Sequence, residues 1–199
     1  MSFAADTDTI IAGNVTNAGT INSGSALLVA GNMSNASGAR LNLLAGGTNR
    51  FGSLTNSGVI SAGAAVTVTG AYVQNAGTFT AGGNLSTGSL SGTGGAINIG
   101  SNAMTINQTT NGTYAGSISG TGTVFKNGTA TLTLTGAAGS FAPANLAIQQ
   151  GSVAVNGAGI LDSALAVSVS SGANLSLITG NQTIRNLSGS GTLALNGNN

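Results

Sequence analysis

The chain of 199 residues is 41% hydrophobic but only 4% charged, and it contains 34 glycines with no cysteine and no histidine. Ordinary globular domains are about a quarter charged, and disordered chains are poor in apolar residues, so this composition is typical of neither class. The four cations, Arg40, Arg50, Lys126 and Arg185, are scattered, which excludes the clustered positive charge of a nucleic-acid-binding surface. Apolar runs are far shorter than the roughly 20 residues of a membrane-spanning helix.

Residues 1–9 are expected to form an N-terminal extension. It contains Asp6 and Asp8, two of the three acidic residues of the chain. Such a pair could serve as a general acid and base or supply two oxygens to calcium. At a chain end beside threonines, a solvated terminus is the favoured interpretation, so we expect no metal site here.

Residues 10–95 repeat a short phrase in which an Asn stands at a turn just before an apolar β residue. The four Asn are Asn17, Asn35, Asn56 and Asn75, and successive positions are separated by about 20 residues. This period matches one coil of a parallel β-solenoid, with two or three strands of about five residues and turns between them. Stacked amides hydrogen-bond from layer to layer in cross-β structures, so we expect these four side chains to form a structural ladder.

Residues 96–199 keep this architecture with a different phrase. Each strand expected there has two apolar residues two positions apart, which places both on one face. The pairs again recur after about 20 residues, and they are Leu132 and Leu134, Val153 and Val155, Leu175 and Leu177, and Leu193 and Leu195. Helical periodicity is absent, and residues 159–165 are the only candidate for a short helix. Residues 137–143, which include the single proline, are expected to bulge out as a loop.

Three segments of the second half resemble the autotransporter-associated β-strand repeat of bacterial type V secretion proteins. They are Lys126-Asn127-Gly128 with Thr131-Leu132-Thr133-Leu134-Thr135-Gly136, then Gly151-Ser152-Val153, then Leu187-Ser188-Gly189-Ser190-Gly191-Thr192-Leu193. The match spans roughly residues 117–199 and departs from the family at residues 137–143, where an Asn-Thr-Tyr-x-Gly segment is usual. The first half looks like the related secreted β-helical exoproteins and adhesins.

The resemblance implies a right-handed parallel β-helix that is displayed on, or released from, a Gram-negative cell surface. A translocator β-barrel normally follows such a passenger domain, so we expect this chain to be a fragment or processed piece lacking that barrel. Together with the repeats, the sequence predicts an all-β fold, a right-handed parallel β-helix (β-solenoid) of about ten coils. We expect one domain over residues 1–199, with the change of phrase near residue 95.

Groups that titrate or attack near neutral pH are scarce, because the chain has no His, Cys or Glu. The glycines of residues 92–95 are interpreted as a coil turn and not as a phosphate cradle, since neither a helix nor Gly-Lys-Ser/Thr follows them. We therefore expect no catalytic residue, no cofactor and no metal.

Three functions remain open. The leading hypothesis is a non-enzymatic, extracellular passenger segment that acts in adhesion, autoaggregation or as a surface stalk, and that binds a protein or glycan of a host or bacterial surface. One alternative is a self-assembling fibre or matrix subunit, because low charge and open strand edges favour association of copies. Another is a released effector that binds a host receptor. Each hypothesis places the protein outside the cell or on its surface, without nucleic acid as a partner.

Overall fold

The computed structural model describes residues 2–3, 8–44 and 46–198. These residues form strands and turns with no helix, and neighbouring strands are parallel. The strands stack as a β-solenoid of about nine turns, which confirms the predicted parallel β-helix. No helix in the described ranges is long and apolar enough to cross a membrane.

Twenty-two strands follow one another in the described residues. In chain order they are β1 (Ser2–Phe3), β2 (Thr9–Ile11), β3 (Val15–Asn17), β4 (Thr20–Ser23), β5 (Leu27–Asn35), β6 (Arg40–Leu43), β7 (Asn49–Asn56), β8 (Val59–Ala62), β9 (Val66–Gln74), β10 (Thr78–Ala81), β11 (Leu85–Ser91), β12 (Ala96–Asn98), β13 (Met104–Ile106), β14 (Gly112–Tyr114), β15 (Ser117–Lys126), β16 (Thr131–Leu134), β17 (Phe141–Ile148), β18 (Ser152–Asn156), β19 (Ala166–Val169), β20 (Asn174–Thr179), β21 (Asn186–Gly189) and β22 (Thr192–Ala194).

Each coil contributes one segment to each of three parallel stacks. The first stack contains β2, β13, β19, β21, the N-terminal parts of β5, β7, β9 and β11, and the C-terminal parts of β15 and β17. The second stack contains β3, the C-terminal parts of β5, β7, β9 and β11, and then β14, β16, β18, β20 and β22. The third stack contains β1, β4, β6, β8, β10, β12 and the N-terminal parts of β15 and β17.

The long strands bend at the corners of the coil. In β5, β7 and β11 the chain passes from the first stack to the second with a shift of register. Gly52 lies at this corner, where a Cβ atom would collide with the carbonyl oxygen of Ala30 in the preceding coil. From β15 onward, the long strand instead connects the third stack to the first.

Strand alternation fills the interior with apolar side chains. On most strands, apolar side chains two residues apart point inward and stack on their counterparts in the next coil. Tyr72 and Phe79 meet with their ring centroids 5.8 Å apart. Coil length varies along the chain, since Asn49 pairs with Val66 in a short coil and Val124 pairs with Leu146 in a longer one. The interior is therefore a set of thin layers, each one coil thick.

Residues 159–165 do not form a helix, contrary to the sequence prediction. They make turns and one parallel bridge between Leu161 and Phe141. Ile160, Leu161 and Leu165 are all buried, because this segment closes a coil and its apolar side chains complete the interior layer. The amide of Leu165 donates to the carbonyl of Asp162 in a tight turn.

The loop predicted at residues 137–143 is shorter than expected. Residues 137–139 are exposed, but Phe141 is buried and begins β17. Pro143 pairs with Gly120 just before a register shift, a position that tolerates a residue without an amide hydrogen. The expected extension at residues 1–9 also differs, since Ser2 pairs with Asn22 and Thr9 begins β2.

Candidate functional site

A row of hydrogen-bonded side-chain amides lies inside the solenoid, at the C-terminal ends of strands in the second stack. Asn17 Nδ2 donates to Asn35 Oδ1 at 2.8 Å, and Asn35 Nδ2 donates to Asn56 Oδ1 at 2.9 Å. Asn56 Nδ2 then donates to Oε1 of Gln74 at 3.0 Å. All four residues are buried, so these bonds replace water for groups that would otherwise be unpaired.

The same amides also satisfy the backbone of the turn. Nδ2 of Asn17 donates to the carbonyl of Arg40 at 2.7 Å, and Nδ2 of Asn35 donates to the carbonyl of Val59 at 3.2 Å. Oδ1 of Asn17 accepts a hydrogen bond from the amide of Gly19 at 3.1 Å. Each amide thus links two coils and closes a corner, which is a structural role.

Asn75 lies outside this ladder, unlike the sequence prediction. It is half-buried, and its Oδ1 lies 3.4 Å from the amide nitrogen of Thr93. The turn from Gln74 to Gly77 is one residue longer than the turn from Asn56 to Gly58, although both glycines have equivalent positions. The extra residue moves Asn75 outward and leaves Gln74 in register with Asn56. The sequence does contain a signal for Gln74, because it lies two residues after the buried Tyr72 and strand alternation turns both side chains inward.

Beyond the last amide of the ladder, the side chain of Tyr114 bonds to the backbone at the same corner of the coil. Its hydroxyl lies 3.2 Å from the carbonyl of Gly95 and 3.1 Å from that of Ser117, so it bonds to the backbone where the amides did. The Tyr72 hydroxyl donates to Oε1 of Gln74. Burial raises the pKa of both phenols, with a smaller contribution from Tyr114 in the case of Tyr72, so both stay neutral at physiological pH.

Lys126 is the one basic side chain found inside the solenoid among the described residues. Its Nζ donates to the carbonyl oxygens of Asn127 at 3.0 Å, Gly128 at 2.9 Å and Gln150 at 3.1 Å. Burial lowers the pKa of this ammonium to about 8. The sequence analysis used Lys126 only within the family phrase, but its spacing of two from the buried Val124 indicates the inward orientation.

The acidic residues do not assemble into a site in the described ranges. Asp8 is exposed, Asp162 is half-buried in a turn, and Asp6 lies outside the described residues. The described part of the chain contains no group of three His, Cys, Asp or Glu side chains that could hold a metal ion.

Comparisons of the chain with protein-family models, with curated proteins and with solved structures found no match.

Proposed function

We propose that this chain is a non-enzymatic, extracellular passenger segment of a bacterial autotransporter that acts as an adhesive rod or surface stalk. The observation that carries the proposal is the parallel solenoid itself, in which strands are bonded coil to coil along one axis. At the usual strand spacing, nine turns form a rod of roughly 40 Å. Such a rod holds a binding surface away from the place where it is attached.

The family-like phrases fall on regular elements of this rod. Residues 131–134 form β16, and Ser152 and Val153 begin β18 directly above them. The amide ladder and Lys126 are engaged in holding corners together, and catalysis requires groups that are free to transfer protons or attack. These features support a structural and adhesive function over an enzymatic one.

Adhesion can be tested with fluorescent beads coated with the purified 199-residue chain. We expect saturable attachment to animal or bacterial cells that an excess of soluble chain abolishes. Beads coated with an unrelated, uncharged β protein provide the control. Attachment no greater than that of the control beads would contradict the proposal.

A self-assembling fibre subunit is the second candidate, because the last described coil exposes apolar side chains. Leu187, Leu193 and Leu195 are 45%, 39% and 43% exposed. Leu187 lies in β21, Leu193 in β22 and Leu195 just after β22, and each of these two strands pairs with one neighbouring strand among the described residues. Electron microscopy across a concentration series distinguishes the two functions, since filaments that lengthen with concentration support assembly and rods of constant length support the stalk.

A further inference from the structure

A groove lined by side-chain amides runs along the outer corner between the first and second stacks. Its volume is about 430 Å³, and it is lined by Asn107, Asn127, Gly128, Gln149 and Gln150. The two Gln are exposed and the two Asn are half-buried. No charged or aromatic side chain lines this groove.

Three of these amides occupy equivalent positions in successive coils. Asn107, Asn127 and Gln149 each follow directly on residues that are in register, namely Ile106, Lys126 and Ile148. The backbone hydrogen bonds between coils continue through them. The backbone N–H of Asn127 donates to the carbonyl of Ile106 at 2.8 Å, and that of Gln149 donates to the carbonyl of Lys126 at 2.9 Å. The three side chains are therefore spaced by about 4.8 Å along the rod.

These amides differ from those of the interior ladder because their side-chain hydrogen-bonding groups are unused. Within the described residues, no side-chain hydrogen bond is made by Asn107, Asn127, Gln149 or Gln150. By contrast, Asn42 Nδ2 donates to Asn22 Oδ1 at 2.7 Å on the third stack. Oδ1 of Asn127 is also buried without a partner, which is costly for an acceptor.

The backbone beneath the groove is held rigidly. Lys126 donates its three ammonium protons to the carbonyls of Asn127, Gly128 and Gln150, all of which line the groove. A site that is fixed before binding loses less conformational entropy when a ligand arrives. Because these protons are already donated, Lys126 leaves none for an anionic ligand.

We infer that this groove is a binding site for a neutral glycan, an inference that rests on the proposed adhesive function and names its ligand class. Asn107, Gln149 and Gln150 each carry both donors and an acceptor, which matches the paired donor and acceptor character of sugar hydroxyls, whereas Oδ1 of Asn127 is buried beneath the groove. Recognition of a carboxylate or sulfate draws on Arg or Lys side chains, and none is available here. A pyranose unit spans a distance comparable to one coil spacing, so successive sugars can meet successive amides.

The test uses an array of neutral and acidic oligosaccharides probed with the purified 199-residue chain, followed by calorimetric titration of the neutral oligosaccharide that gives the strongest signal. The test variant is Asn107→Ala/Gln149→Ala/Gln150→Ala, and the matched control is Asn22→Ala/Asn42→Ala. Losing several hydrogen bonds should weaken binding by the test variant about tenfold or more, whereas the control should stay within about twofold. Circular dichroism and urea midpoints verify that both variants are folded.

Three results would overturn the inference: unchanged affinity in the groove variant, binding restricted to acidic glycans and lost at high salt, or no glycan bound at millimolar concentration. The bead assay separates this inference from the proposed function. Beads that adhere equally well with and without the groove amides leave adhesion standing and overturn the inference that the groove supplies its glycan ligand site. Glycan binding by a chain whose beads do not adhere leaves the site standing and removes the adhesive function.

Discussion

At the scale of single residues, the buried amides of the ladder hydrogen-bond one coil to the next and hold the turns in place. Asn35 donates to Asn56 and to Val59, and it accepts from Asn17, so all of its polar groups are paired. A short amide suits this position because, in the next coil, it reaches both the side chain of Asn56 and the turn carbonyl of Val59. Such a network is stable only when each member is satisfied.

Replacing Asn35 with alanine should lower the free energy of unfolding by about 2 to 3 kcal/mol, because Asn17 Nδ2 and Asn56 Oδ1 each lose a buried hydrogen-bond partner. Urea denaturation measures the change. Asn42→Ala is the control, since Asn42 is half-buried and its side chain makes a single bond, to Asn22, and we expect a loss below about 1 kcal/mol. Equal losses in the two variants would show that the buried ladder stabilises the protein no more than the half-buried bond between Asn42 and Asn22 does.

Lys126 should make stability depend on pH. Its pKa is about 8 in the folded chain against an ordinary value of 10.5, so the unfolded chain binds more protons between these values. Stability contributed by this site therefore rises as the pH increases from 8 to 10.5. The raised pKa values of Tyr72 and Tyr114 act in the opposite direction above pH 10.0.

Lys126→Met isolates that effect. The difference in unfolding free energy between the parent chain and the variant should shift in favour of the parent as the pH rises from 7 to 10, while the tyrosine contributions cancel. Urea titrations of both proteins at several pH values measure it. A difference that stays constant over this range would mean that the three carbonyls hold Lys126 charged in the folded chain as readily as water does.

At the scale of elements, the corners decide how closely coils approach. Gly77 has a φ of +65°, and a Cβ atom there would collide with the carbonyl oxygen of Gly58. Gly38 has a similar φ of +77°, but a Cβ atom there would meet nothing within 4 Å. Comparing alanine at the two positions separates the free-energy cost of a left-handed backbone from the cost of a steric clash between adjacent coils.

Gly77→Ala should therefore destabilise the protein by about 3 kcal/mol or more, and Gly38→Ala by about 1 kcal/mol. The first change opens the contact between adjacent coils, whereas the second only strains one residue. Chemical denaturation of both variants measures the difference. Similar losses would indicate that the turn moves aside to accommodate the methyl group of residue 77.

At the scale of the whole molecule, the solenoid is a linear array in which each coil contacts its neighbours. Deleting residues 66–84 removes one complete coil, β9 with β10, and brings Leu85 to the position of Val66. We expect this variant to fold cooperatively and to be shorter by about 4.8 Å in small-angle X-ray scattering.

Deleting residues 66–74 is the matched control, because it removes β9 and leaves β10 out of phase with both neighbours. Apolar side chains of the following coil would then face away from the interior, and we expect loss of cooperative unfolding. If the full-coil deletion unfolds as the partial one does, the coils are not interchangeable units.

Local patterns in the sequence were sufficient to predict the architecture. The period of about 20 residues, the alternation of apolar residues and the glycine-rich turns are local properties, and together they predicted an all-β parallel solenoid. Asn17, Asn35 and Asn56 could be found because their turns and their strands share one spacing. Three of the four apolar pairs predicted in the second half lie inward for the same reason, as Leu132 and Leu134 do, whereas Leu193 and Leu195 of the last described coil are 39% and 43% exposed.

Features that depend on the register between coils could not be predicted from these local patterns. Gln74 replaces Asn75 in the ladder because strand pairing, not the turn, aligns it with Asn56. Strand alternation turns Lys126 inward, but only the stacking of coils brings the carbonyl of Gln150 beside those of Asn127 and Gly128 to receive its ammonium protons. The amide groove exists because residues from successive coils stack at one corner, and no local pattern shows whether such neighbours will bond to each other or remain free.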